Sequence, residues 1–207
     1  AQGRVGERVI ASYEVAIAPG TPPGAYRLEV GVYNPAGGER LLVKGAEGSR
    51  TDRIFIDGLQ VLKQTPAQLE VPHRTSADFG HQVRLLGYDL ADTTRPGDTL
   101  HLKLFWQSIT SPSADYTVFT HVIDDEDRVV AQKDSEPADG TAPTGRWEPG
   151  EVVLDQYDVP VPGTLPPGRY RMEVGLYEKG NGQRLPLLDP TGERVDDRLI
   201  LQGVLVL

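Results

Sequence analysis

Apolar and polar residues alternate with a period of two in four stretches of the chain. In residues 100–106 the leucines and a tryptophan fall on one side of a strand, and polar residues such as His101 fall on the other. The same alternation runs through residues 118–123, 152–157 and 169–177. Because neighbouring side chains of a β-strand point to opposite faces, each stretch predicts a strand with one face on a core and one in water.

Shorter runs complete an all-β pattern in the second half of the chain. They lie at residues 81–89, 128–133, 184–188 and 198–206, between turns rich in Gly, Pro and Asp, and no stretch shows an apolar stripe of helical period. About eight short strands with frequent turns predict an antiparallel β-sandwich of immunoglobulin-like or jelly-roll type. A closed barrel is less favoured, because residues 134–150 form a long loop that suits the end of a sandwich.

An internal repeat divides the chain. Residues 21–33, TPPGAYRLEVGVY, recur as residues 165–177, LPPGRYRMEVGLY, with nine of thirteen positions identical at an offset of 144. After Asp52 and Asp196 the offset becomes 145, and Leu62 then corresponds to Leu207. A period of this length is typical of a duplicated domain rather than of a solenoid.

The two copies differ in extent. Residues 79–207, here the second copy, hold a full set of predicted strands, whereas residues 1–62, the first copy, match only its C-terminal half. Residues 63–78 are polar with two prolines and are predicted to be a linker. We expect the chain to be a fragment of a longer protein. We also expect the half module to dock on the complete module or on another chain, because few strands can bury an apolar face only against another sheet.

Composition and charge exclude several classes of partner and site. The 207 residues carry a formal net charge of −9, which argues against nucleic acid as a partner. Cysteine is absent, which excludes disulfides, a thiol nucleophile and thiolate metal sites. No apolar run reaches the roughly 18 residues of a membrane span, and the N-terminus has no signal-peptide pattern, so no membrane insertion by this fragment is predicted.

Enzyme motifs are absent from the sequence. It has no Gly-x-Ser-x-Gly elbow, His-Glu-x-x-His pair, Walker loop or Gly-x-Gly-x-x-Gly loop. Asp155 and Asp158 are an odd number of residues apart on one predicted strand, so they face opposite sides and do not suit a paired acid and base. The chain is therefore predicted to be non-catalytic and to need no cofactor.

Two metal sites can be considered. His101 and His121 would bind a metal if a third ligand joined them, but two half-exposed strand histidines are favoured. The acidic runs at residues 124–127 and 134–139 offer oxygen ligands for calcium. A solvated turn is favoured for the first run, because Asp is common in turns through its backbone hydrogen bonds.

Aromatic residues supply the best hypothesis for a ligand. Sugars stack on aromatic faces, and Trp147 lies in the long polar loop while Phe119, His121 and Tyr157 fall on predicted strands that could line one sheet face. These four residues are predicted to contact a glycan. A hydrophobic plug that pins the loop is the favoured alternative for Trp147, because large aromatic side chains are mostly buried.

Longer phrases of the second copy carry a family resemblance. YTVFTHVIDDEDRVVAQKDSEP, PTGRWEPGEVVLDQYDV and LPPGRYRMEVGLYEKGNGQRLPL resemble a β-sandwich module appended to bacterial membrane glycosyltransferases of the dolichyl-phosphate-mannose-dependent mannosyltransferase type. The resemblance covers about residues 80–207, and residues 6–62 as half a module. It implies an extracytoplasmic or cell-surface location and a tether through a membrane region that is not in this chain.

The sequence thus leads to one functional expectation and two alternatives. The expectation is a non-catalytic, extracytoplasmic accessory domain of a membrane glycosyltransferase-like protein that contacts glycan. The first alternative is a structural or assembly domain that self-associates or binds a partner domain through the half module. The second is a glycoside hydrolase-like enzyme whose site is dispersed along the chain.

Overall fold

The computed structural model describes residues 10–17, 21, 23–44, 50–62 and 69–207. The first copy contains β1 (Gly24–Val30), β2 (Val43–Lys44), β3 (Arg50–Thr51) and β4 (Ile54–Val61). The second copy contains β5 (His73–Phe79), β6 (Val83–Leu90), β7 (Thr93–Thr94), β8 (Thr99–Ser108), β9 (Tyr116–Ile123), β10 (Val129–Ser135), β11 (Val152–Pro160), β12 (Gly168–Glu178), β13 (Leu187–Leu188), β14 (Arg194–Asp196) and β15 (Leu199–Val206). Two short 3₁₀ turns, Pro137–Gly140 and Thr144–Arg146, join β10 to β11.

Two sheets form the sandwich of the second copy. One has five strands in the order β10-β9-β12-β15-β7, and the other has six in the order β11-β8-β6-β5-β13-β14. Neighbouring strands pair antiparallel, apart from the short parallel pair of β15 and β7. The predicted all-β, antiparallel, immunoglobulin-like sandwich is therefore confirmed. Among the described residues, no helix has the length and apolar character needed to cross a membrane.

The core lies between the two sheets and is built from the predicted apolar rows. Every second residue of β8 and of β12 is buried there: Leu100, Leu102, Leu104 and Trp106, and Tyr170, Met172, Val174 and Leu176. Strand β9 differs from the expected one-sided pattern, because all eight of its residues are buried. Its second face must therefore be covered by something other than the opposing sheet, and this cover forms the site described below.

The second copy begins earlier than the sequence-based boundary. Residues 73–78, expected to belong to the linker, form most of β5 and pair with β6. Leu69 and Val71 are also buried, in a small cluster with Phe105. Strand β5 has few large apolar residues, which explains why its alternation was not visible in the sequence. The remainder of the predicted linker, residues 63–68, lies outside the described residues.

Strands β1 and β4 of the first copy pair antiparallel across a long connection that contains β2 and β3, and we call this pair of strands the hairpin. It has an exposed apolar side. Val30 is 37% exposed and Leu59 is 41% exposed. The equivalent residues of the second copy, Val174 and Val204, are 0% and 1% exposed. Among the described residues nothing of the complete module covers this side, so the expected docking there is not observed, and packing on another chain stays the prediction that accounts for the apolar side.

A buried carboxylate holds the long connection between β10 and β11. Asp155 is fully buried and accepts hydrogen bonds from the Trp106 indole nitrogen (3.2 Å), the Tyr157 hydroxyl (2.7 Å) and the Ala138 backbone nitrogen (2.9 Å). Burial raises the pKa of Asp155 to about 6, although these three donors act to lower it. Asp158 points outward and is exposed, so the two carboxylates lie on opposite faces as predicted.

Replacing this carboxylate is expected to cost more stability than replacing its exposed neighbour. Asp155→Ala removes the shared acceptor of three donors, of which the Trp106 indole nitrogen is fully buried, and is expected to lower the free energy of unfolding by about 2–5 kcal/mol. Asp158→Ala is the matched control, with an expected change within about 0.5 kcal/mol. Urea unfolding followed by tryptophan fluorescence measures both values, and similar values for the two variants would contradict a structural role for Asp155.

Candidate functional site

Two of the residues predicted to contact glycan lie inside the sandwich. Trp147 is 3% exposed, and its indole nitrogen donates a hydrogen bond to the Ala142 carbonyl at 2.9 Å. Tyr157 is 2% exposed and belongs to the same core cluster. Trp147 therefore occupies the position of the plug, where it closes the loop between β10 and β11 onto the core.

Phe119 and His121 lie on the other side of the five-stranded sheet, away from the core. Their ring centroids are 4.9 Å apart. Tyr157 lies on β11 of the six-stranded sheet and faces the core, so the expectation that these three residues line one sheet face is corrected. A sugar stacks on an exposed ring face, and all four candidate side chains are buried. These residues therefore present no exposed ring face in this structure, and glycan binding by them stays a prediction from the sequence.

The Phe119 ring occupies a pocket that depends on a glycine of the neighbouring strand. A Cβ atom at Gly175 would lie 2.4 Å from the ring, so only glycine leaves the necessary space. The guanidinium of Arg184 lies 4.2 Å from the ring centroid, and the Tyr177 ring lies alongside with its centroid at 6.5 Å. Arg184 therefore covers the ring through a cation–π contact. We call Glu173, Gly175, Tyr177, Arg184 and Arg198 the Phe119 pocket.

His121 lies beside two carboxylates. Its Nδ1 is 3.0 Å from Glu173 Oε1, and its Nε2 is 3.3 Å from Asp134 Oδ1. Burial acts to lower the pKa of His121, but the two carboxylates outweigh it and raise the pKa to about 9. At neutral pH the imidazole is therefore a buried cation.

Glu173 joins this cation to a second one. Its side chain is 4% exposed, and its Oε2 accepts a hydrogen bond from Arg198 at 2.5 Å. Burial acts to raise the pKa of Glu173, but His121 and Arg198 outweigh it and hold the pKa below its usual value. Arg198 also contacts Asp127 at 3.0 Å, which links the pocket to the turn between β9 and β10. A buried charge is tolerated only when it is paired in this way.

The acidic run at residues 124–127 forms that turn. Asp124 accepts hydrogen bonds from the backbone nitrogens of Glu126 and Arg128, both at 2.9 Å. Asp127 has a φ of 60°, and its carboxylate contacts Arg171 at 2.7 Å. These carboxylates therefore serve turn geometry and ion pairing.

Neither metal hypothesis finds its ligands brought together. His101 contacts Asp158 at 2.7 Å on the six-stranded sheet, whereas His121 is on the five-stranded sheet. In the described part of the chain, no three His, Asp or Glu side chains are grouped as a metal site.

Three residues of the Phe119 pocket were missed by the sequence reasoning. Alternation along residues 169–177 places Glu173 on the face expected to meet water, and Arg184 and Arg198 lie outside the four long alternating stretches. The repeat contained a usable signal, because Glu29, Arg40 and Arg53 stand at the equivalent positions of the first copy. Outward-facing residues that recur with the core residues indicate a function beyond core packing.

Comparisons with known proteins add little to this description. No protein-family model and no curated protein matches the chain. Among solved structures it is similar to the crystal structure of a CARDB domain from Pyrococcus furiosus, which was solved in complex with di-metal ions. The similarity covers 68% of this chain and 97% of that one, at 11% identity and a TM-score of 0.36. The fold assignment therefore rests on the strands and pairings of this chain.

The buried imidazolium predicts a stability that falls in alkaline solution. Between the unfolded pKa of about 6.5 and the folded pKa of about 9, the folded protein holds a proton that the unfolded protein does not. This stabilisation, on the order of 3 kcal/mol, is present below pH 6.5 and is lost as the pH rises through 9. Urea unfolding from pH 6 to 10 should show a flatter profile for His121→Gln, whereas His101→Gln should keep the wild-type slope. Parallel profiles for wild type and His121→Gln would contradict the assignment.

The close contact at Gly175 gives a second prediction. Gly175→Ala forces the Phe119 ring to move and is expected to lower the free energy of unfolding by at least about 1–3 kcal/mol. Gly180→Ala is the matched control, because nothing lies within 4 Å of a Cβ at that position. Thermal and urea unfolding measure both variants, and an unchanged Gly175→Ala protein would show that the ring does not occupy the pocket.

Proposed function

We propose that this chain is a non-catalytic accessory region of a membrane glycosyltransferase-like protein, located outside the cytoplasm, and that its role is assembly through the first copy. The location and the glycosyltransferase context come from the resemblance of the repeated sequence phrases. The assembly role is supported by the hairpin of β1 and β4. Its partner on this proposal is a β-sheet that covers the apolar side of the hairpin.

The observation that carries the proposal is the different burial of equivalent residues. Tyr26 and Leu59 are 37% and 41% exposed, while Tyr170 and Val204 of the second copy are 9% and 1% exposed. In the second copy these residues pack against the six-stranded sheet. The same apolar pattern on the same type of hairpin therefore calls for the same type of cover.

Physical considerations favour a sheet as that cover. An isolated two-stranded hairpin is at best marginally stable in water. Burying apolar surface contributes roughly 25 cal/mol per Å², so a facing sheet supplies the stability that the hairpin lacks. A β-sheet also offers the flat, alternating apolar surface against which the second-copy hairpin packs.

The buried carboxylates of the second copy support a non-catalytic role. Asp155 is occupied by three hydrogen-bond donors of the core. Glu173 is paired with His121 and Arg198. Because both carboxylates are occupied by these contacts, they do not form the free pair of carboxylates that a glycoside hydrolase would need.

The apolar dye ANS and analytical ultracentrifugation test the assembly role. If the side formed by β1 and β4 is an association surface, the wild-type chain is expected to bind the dye and to self-associate as its concentration rises. Leu59→Asp places a charge on that side and is expected to reduce both signals severalfold. The dye is the probe here, because it reports accessible apolar surface whatever the natural partner is.

Leu205→Asp is the matched control for this experiment. Leu205 is a leucine of β15 with 40% exposure, almost the same as Leu59, but it lies on the complete module. This variant is expected to retain the wild-type dye binding and association. A monomeric wild-type chain that binds no dye would overturn the proposed role, as would an equal loss in both variants.

A further inference from the structure

The first copy repeats the Phe119 pocket residue by residue. Five residues recur with the same identity at the equivalent positions: Glu29, Gly31, Tyr33, Arg40 and Arg53 for Glu173, Gly175, Tyr177, Arg184 and Arg198. We call these five residues the first-copy pocket. In the second copy these residues surround Phe119 on the side of the sheet that faces away from the core. Packing of the apolar side therefore does not explain why they recur in the first copy.

The geometry of the two pockets also agrees. Tyr33 forms a β-bridge with Arg40, as Tyr177 does with Arg184. A Cβ at Gly31 would lie 3.1 Å from the carbonyl oxygen of Asp52, the residue before Arg53. This matches the 2.9 Å from a Cβ at Gly175 to the carbonyl oxygen of Asp197, the residue before Arg198.

The charged groups of the first-copy pocket are already gathered around its glutamate. Arg40 and Arg53 lie 3.1 and 3.4 Å from Glu29 Oε1. Arg40 also lies 3.5 Å from the Asp52 carboxylate. The charged side chains of the first-copy pocket thus contact one another in the chain without a partner.

The first-copy pocket lacks the strand that fills its counterpart. In the second copy β12 pairs with β15 on one edge and with β9 on the other. Among the described strands β1 pairs only with β4, so its second edge is open. In the described part of the chain, no aromatic ring lies within 4 Å of a Cβ position at Gly31. The side chain of Glu29 is 41% exposed, compared with 4% for Glu173.

We propose that the open edge of β1 binds an antiparallel β-strand that carries an aromatic residue and, two positions later, a histidine. This inference rests on the proposed assembly role and specifies its partner. In the second copy Phe119 pairs with Gly175, and His121 pairs with Glu173. By equivalence the aromatic residue of the partner lies against Gly31 and its histidine lies against Glu29.

Three interactions select this pattern. The aromatic ring fits the space that Gly31 leaves and is covered by the Arg40 guanidinium, as Arg184 covers Phe119. When Arg40 covers the ring, the histidine takes its place beside Arg53 as the second cation on Glu29, while the added strand excludes water from that carboxylate. The backbone of the added strand pairs with the open edge of β1, as in other cases of strand addition.

The test uses the full chain and a fluorescein-labelled peptide with the sequence of residues 115–124, DYTVFTHVID. Fluorescence anisotropy is expected to show saturable binding, and hydrogen exchange is expected to show added protection of backbone amides in residues 24–33. Peptides in which the phenylalanine or the histidine is replaced by alanine are expected to bind roughly tenfold more weakly or worse. A scrambled peptide of the same composition is expected not to bind.

Two glycine variants of the chain complete the test. Gly31→Ala fills the space for the ring and is expected to abolish binding, whereas Gly37→Ala, whose Cβ would meet only the Glu39 side chain at 4.0 Å, is expected to leave it unchanged. Equal binding by the two variants would overturn the inference, as would no binding by the wild type. If the wild type still binds dye and self-associates in that case, only the strand inference fails. If these signals are absent as well, the assembly role fails with it.

Discussion

Each copy contains an antiparallel strand pair, β1 with β4 and β12 with β15, whose apolar side must be covered, and the rest of the structure depends on this constraint. In the second copy β12 and β15 bury Met172, Val174 and Leu176 completely against the six-stranded sheet. The hairpin of β1 and β4 adopts the same antiparallel pairing, and both hairpins have a register shift near the middle of their first strand. Local sequence therefore determines the pairing of the strands, while stability comes from the sheet that faces them.

The outer side of the five-stranded sheet, away from the core, holds charged side chains that are buried and paired. Strand β9 lies between β10 and β12 and is covered on its outer side by Arg184 and Arg198, so Glu173 and His121 lose most of their water. A lone carboxylate in such a place is costly, and Glu173 is acceptable because a protonated histidine and an arginine flank it. The raised pKa of His121 is the consequence of this pairing.

The sandwich could be predicted from the sequence because it depends on alternation, which each strand carries by itself. The buried rows of β8 and β12 were visible in this way. The pocket around Phe119 could not be derived from alternation, because it joins residues of separate elements and because a histidine facing outward on an isolated strand is expected to meet water. The chain segment that contains Arg198 supplies the missing cover. Only the recurrence of Glu29 and Arg53 in the first copy pointed to that face.

The state of Glu29 shows why the first-copy pocket differs from an ordinary surface ion cluster. Exposed ion pairs contribute little to stability, so Arg40 and Arg53 around a hydrated Glu29 do little for the hairpin itself. The same charges become strong interactions once a strand removes the water, as at Glu173. In the second copy Arg184 covers Phe119, and Glu173 is left with Arg198 and His121 as its cations. Once Arg40 covers an aromatic ring in the same way, an added strand without a cation would leave the dehydrated Glu29 with Arg53 alone. The pocket therefore favours a partner that brings its own positive charge, and the aromatic residue two positions away determines where along β1 that partner pairs.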